Sequence, residues 1–140
     1  MADSSIAPPG ARTLLCRADV KACNPWFNPK VLLIAGERYF FRATGSWTDW
    51  TQVHDANGTP VPKLRLVERF LRCRSANATW FTLVGAIDKR PESFFPIGDG
   101  QRWPSGWVAP SSGRLYCFAN DARPMYFNNH GAITLEVWTT

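Results

Sequence analysis

Residues 132–138 read Ala-Ile-Thr-Leu-Glu-Val-Trp. Ile133, Leu135 and Val137 fall on one side of a period of two, with Thr134 and Glu136 on the other. That alternation marks a strand with one face towards a core and one towards water. The period recurs upstream. From Arg38 to Thr44, Tyr39, Phe41 and Ala43 share a face opposite Arg38, Phe40, Arg42 and Thr44. Arg114 to Asn120 sets Leu115, Cys117 and Ala119 together. Thr79 to Ile87 is rich in aromatic and β-branched residues and reads as a further strand. Thr13 to Val20 and Val31 to Ile34 are shorter candidates. Turn residues separate them: Asn24-Pro25, Asn28-Pro29, Ala35-Gly36-Glu37 and Ser111-Ser112-Gly113. Gly45 to Pro62, Arg90 to Pro110 and Asp121 to Gly131 read as loops. Short strands between turns predict an all-β chain folded as an antiparallel β-sandwich. Lys63 to Arg74 stays open. Arg65, Arg69 and Arg72 would stripe a helix, and the same residues suit an irregular approach to the next strand.

Composition agrees. A chain of 140 residues suits a single domain. Residues 1–12, small, polar and Pro-rich, read as a flexible N-terminal arm, and 13–140 as one sandwich. Seven Trp, nine Phe and three Tyr, broken up by ten Gly and eleven Pro, disfavour a helical bundle or coiled coil. The net charge of +5, twelve of the sixteen cations being Arg, suits a solvated surface and leaves anionic glycans, nucleic acid or a membrane surface as partners to weigh. RNA-recognition aromatic signatures are missing, so nucleic acid is not expected. No stretch approaches the ~20 apolar residues of a membrane span. Met1 to Arg12 has no apolar or basic leader pattern, which predicts a cytoplasmic protein, with release or export that needs no signal peptide left open. Cys16, Cys23, Cys73 and Cys117 match no zinc spacing, and Cys117 reads as a buried thiol.

Catalysis finds no constellation. There is no G-x-S-x-G elbow, phosphate-cradling loop or H-E-x-x-H. His54-Asp55 are chain neighbours that would not face each other, and Asp88, Glu92 and Asp99 read as scattered surface acids. The chain is expected not to be an enzyme. The segment Asn120 to Asn129 is different, with one carboxylate and three carboxamides in ten residues. Such residues are the default of turns, whose backbone they cap. They are also oxygen donors, and calcium takes about six to eight oxygens. Asp121, Asn128, Asn129 and the Met125 carbonyl could converge, with Asp49 adding an oxygen from the Ser46 to Trp50 segment.

The C-terminal third resembles the calcium-dependent galactose-binding bacterial lectin family (PA-I, LecA-like). The residues that carry the resemblance are Gly113-Arg114-Leu115-Tyr116, Asn120-Asp121, Tyr126-Phe127-Asn128-Asn129-His130-Gly131 and Ala132-Ile133-Thr134-Leu135. Weaker matches run through residues 30–112, among them Ala35-Gly36-Glu37, Gly45-Ser46-Trp47 and Ile97-Gly98. The resemblance implies a jelly-roll or galactose-binding-domain-like sandwich. It implies a Ca2+ cofactor held by Asp121, Asn128 and Asn129 side chains, the Met125 carbonyl and a residue near Asp49. It also implies sugar contacts from Asp121 and Asn128, with Trp50 or His54 bordering the pocket. Carbohydrate, galactose-like or another glycan, would be the ligand, and the protein a homo-oligomer. This chain has Pro124 and Met125 where the family has Thr and Gly residues. Glu68 and Leu71 stand near the family's galactose-fixing His and Gln. A sandwich that has lost the metal and serves as a protein-interaction or anionic-ligand module is the alternative.

Overall fold

The 132–138 alternation belongs to a longer strand. In a computed structural model, which describes residues 6–59, 71–73 and 77–140, β9 spans Asn129–Thr139 and is paired on both sides. On one side lies β3, Arg38–Asp49, in unbroken antiparallel register from Tyr39↔Thr139 to Asp49↔Asn129. On the other lies β1, Thr13–Lys21, with a register shift between Leu14 and Cys16. A three-residue strand β4, Gln52–His54, folds back on the end of β3. The second sheet runs β2 (Leu32–Leu33), β8 (Gly113–Ala119), β5 (Leu83–Ile87) and β6 (Phe95–Pro96). The strand β7, Trp107–Val108, pairs with the start of β3. Every pairing is antiparallel, so the chain is an antiparallel β-sandwich. No helix among the described residues is long and apolar enough to cross a membrane.

The two inner faces meet in one core. Val20, Trp47, Ile133, Leu135 and Val137 come from the larger sheet and Leu33, Leu83, Ile87, Leu115 and Cys117 from the smaller. Burying each large apolar side chain contributes about 1.5–3 kcal/mol. Phe95 and Trp107 stack at 3.9 Å between ring centres, and Trp47 meets Phe81 edge to face at 5.8 Å. Trp107 and Trp138 are buried, while Trp26, Trp80 and Trp103 are half-buried. Cys117 is fully buried, which drives its thiol pKa up. The outer face of the smaller sheet carries its own cluster, Val84 and Phe118 with Cys73, Ala78, Trp26 and Phe94.

Four local expectations are corrected. Gly45 to Pro62 is not one loop: β3 runs through Gly45 to Asp49, because Trp47 continues the inward period of Phe41 and Ala43 and is fully buried. The strand at Thr79 to Ile87 begins only at Leu83; Phe81 has φ +68, and Thr82 N–H donates to the Thr79 carbonyl in a turn. β9 starts at Asn129, inside the segment read as loop. Glu136, expected in water, is 5 % exposed, held 3.5 Å from Arg17 and from Arg42 and accepting the Trp138 indole N–H. In the arm, Arg12 N–H donates to the Thr139 carbonyl and the Arg42 guanidinium to the Ile6 carbonyl. The question of a helix at Lys63 to Arg74 falls mostly outside the described residues, as do Glu68, Arg65, Arg69 and Arg74.

Candidate metal centre

Register brings the acids and amides together. The pair Asp49↔Asn129 closes the ladder between β3 and β9. Beyond β8, Asn120 and Asp121 lead into a 3-10 turn, Arg123–Asn128, that delivers the chain to Asn129. Asp121 and Asn129 are 0 % and 2 % exposed. Asn129 Nδ2 donates to Asp121 Oδ2 at 3.0 Å and to the Ala22 carbonyl at 3.1 Å, which fixes its amide orientation. Asp121 Oδ1 accepts the Ala122 N–H at 2.7 Å. From the facing loop, Trp50 N–H donates to the Asn128 carbonyl at 3.0 Å.

Two features of this cluster bear on whether it could hold a cation. Asn128 Oδ1 and Asn129 Oδ1 are buried with no hydrogen-bond partner. A buried acceptor left unsatisfied costs about 1–3 kcal/mol. Burial also pushes the Asp121 carboxyl up to about 6; the charge of Asp49 adds to the rise, against the hydrogen bonds from Asn129 and Ala122. The carboxyls of Asp121 and Asp49 and the two orphan amide oxygens are hard oxygen donors, the ligand type that calcium takes. Among the described residues there is no group of three or more His, Cys, Asp and Glu side chains that could hold a metal.

The other expected residues stand as follows. Asp49 has its Oδ2 tied at 2.8 Å to the Trp80 indole N–H. Met125 is 38 % exposed and turns with the 3-10 segment, its N–H donating to the Ala122 carbonyl. Trp50 is 74 % exposed with φ +53, at the tip of the β3–β4 hairpin beside Asp49. His54 pairs with Trp47 rather than Asp49; its ring packs 5.5 Å from Phe81 and its Nδ1 lies 3.5 Å from Thr59 Oγ1. Leu71, aligned with a sugar-fixing position by the resemblance, is buried and bridges to Ala122.

Three supporting residues carried too little signal in the sequence. Asn120 is fully buried; its Nδ2 donates to the carbonyls of Cys73, Ala78 and Thr79, and its Oδ1 accepts the Cys73 N–H. Tyr126 Oη donates to the Ala119 carbonyl at 2.6 Å and accepts from Arg72, whose guanidinium lies 3.6 Å over Phe118. Trp80 orients Asp49. Asn120, Trp80 and the Arg72 partner of Tyr126 act over separations of 31 to 54 positions, which no local pattern encodes. The adjacency of Asn120 to Asp121 and the place of Tyr126 just ahead of Asn128-Asn129 were the available hints.

No family model matches the sequence, and no curated protein matches it. A solved structure described as the EclA N-terminal domain, a PllA-like lectin, superposes with a TM-score of 0.67, covering 91 % of this chain and 98 % of that one. The chain has the fold of a lectin. Identity is 21 %, so the likeness carries the lectin fold and no residue roles. Within this fold, the buried side-chain oxygens that stand unpaired among the described residues, Asn128 Oδ1 and Asn129 Oδ1, lie in the cluster at the end of β3 and β9.

Proposed function

We propose that the protein binds carbohydrate without turnover, through a calcium ion at the Asp121 centre. Asp121, Asn128 and Asn129 hold the ion by their side chains, with Asp49 and the Met125 carbonyl contributing. When bound, the ion offers open coordination positions to a pair of sugar hydroxyls. The protein's own groups do the rest. Asp121 and Asn128 hydrogen-bond the sugar, and the exposed indole of Trp50 offers a ring face to its C–H groups. The observation that carries the reading is the pair of buried, partnerless oxygens on Asn128 and Asn129 beside a buried carboxylate. The fold shared with a PllA-like lectin supports it. A galactose-like ligand, membership of the PA-I family and homo-oligomerisation belong to the same proposal; several weak sites on one oligomer gain avidity.

Calorimetric titration with calcium, then with galactose in calcium and in EDTA, tests it. Heat of calcium binding is expected, together with a component of the galactose heat that is present in calcium and lost in EDTA. Absence of both at millimolar calcium would leave the interaction-module reading, which the exposure of Trp50 and Phe127, 74 % and 78 %, favours. The anionic-ligand variant of that reading loses Arg72, which is stacked on Phe118 and bonded to Pro25 and Tyr126.

A further inference from the structure

A cavity of about 600 Å3 lies away from the Asp121 centre. It lies along Phe40–Thr44 of β3, walled by Pro8 and Pro9 on one side and by the Asp99–Pro104 segment on the other. Thr44 is five residues from Asp49, about 17 Å along an antiparallel strand, so the two places do not share a ligand. We propose that this cavity is a second, metal-independent binding site for a neutral sugar ring.

The wall is rigid before any ligand arrives. Asp99 is fixed at four points: its N–H donates to Asn57 Oδ1, its carbonyl accepts the Ala43 N–H, its Oδ1 accepts the Gln101 N–H, and the Arg102 guanidinium lies within electrostatic reach. The Trp103 indole N–H is bound to the Pro96 carbonyl at 2.8 Å, which locks the ring plane. Gly100 has φ +94, and a Cβ there would overlap the Phe41 carbonyl, so only glycine lets the wall sit this close to β3. A preformed cavity spares the ligand the cost of ordering it.

The chemistry of the lining names the ligand class. Phe40, Trp103 and the prolines present apolar surface, while Gln101, Thr44, Asp99 and Arg42 present hydrogen-bonding groups. Each lining charge has a countercharge beside it, Arg42 with Glu136 at 3.5 Å and Asp99 with the Arg102 guanidinium. A charged ligand gains nothing from such a site. An apolar ligand would leave its polar groups unsolvated. A pyranose has an apolar C–H face and a rim of uncharged hydroxyls, and satisfies both halves.

The test uses the full chain in EDTA, which silences the Asp121 centre and keeps failure of one proposal distinct from failure of the other. Galactose, mannose, fucose and N-acetylglucosamine are probed by saturation-transfer NMR. At least one is expected to receive saturation. Gln101→Ala, at an exposed position, is expected to weaken it about tenfold, roughly 1.4 kcal/mol. Thr44→Trp, on an exposed strand position, is expected to fill the cavity and abolish the signal in EDTA while leaving the calcium-dependent component of sugar binding unchanged. No transfer to any of the four sugars in EDTA, or transfer that survives Thr44→Trp, overturns the proposal.

Discussion

Asp121 is the residue on which the candidate centre turns, and its titration is a prediction in itself. A free aspartate titrates near 3.8, and this one is raised to about 6. A carboxyl raised by folding favours the fold in its protonated form. That contribution is complete below 3.8 and is lost as pH rises through 6. In EDTA the protein is therefore expected to melt at a lower temperature above pH 6 than below it, and Asp121→Asn to remove that part of the trend. Thermal melts of the two proteins across this range check it. The same variant is expected to abolish any melting shift on adding calcium. A neighbouring residue behaves differently. Asn120→Ala strips four hydrogen bonds from buried backbone groups and is expected to cost about 2–3 kcal/mol in urea unfolding, with or without calcium. The acid and two amides of the centre were legible because their residue types are oxygen donors. The role of Asn120 was not, since its partners lie more than forty positions away.

At the scale of elements, the β3–β4 hairpin carries the clearest tension. Its two central residues are Trp50 and Thr51, and Trp50 has φ +53, a region where side chains other than glycine are strained. The first central position of such a tight turn favours glycine when its φ is positive. Trp50→Gly is expected to raise the melting temperature slightly, by relief of about 1 kcal/mol, while weakening sugar affinity. Calorimetry and melting on the one variant separate the two effects. Trp50 stands at this strained hairpin tip with 74 % of its surface in water, which suits the ligand-facing role proposed for it. The alternation of β9 was plain in the sequence, yet Glu136 broke its logic. Two arginines from the flanking strands and an indole N–H cover that carboxylate, and only the register of three strands puts them there.

At the scale of the molecule, the proposed calcium site ties ligand binding to folding. The centre joins β3, the segment after β8 and β9, so it exists only when the sandwich is closed. A ligand that binds the folded state alone adds about 2.7 kcal/mol at a hundredfold excess over its Kd, a rise on the order of 10 °C for a chain of this size. Melting curves across a calcium series are expected to climb logarithmically, and a flat series would count against the centre. Sedimentation velocity tests the proposed homo-oligomer, for which a monomeric mass would be the adverse result.

The sequence by itself determined the strands and their class, because a period of two needs only near neighbours to declare which face is apolar. It also picked out the oxygen-rich segment, because donor chemistry is a property of residue type. Tertiary structure alone decided which oxygens lose water and partners together. It turned Gly45 to Asp49 into strand, buried Trp47 and Glu136, and opened a cavity between the first prolines and the Asp99 wall. Burial and convergence are set by pairings between residues up to about a hundred positions apart, and no window along the chain contains both partners.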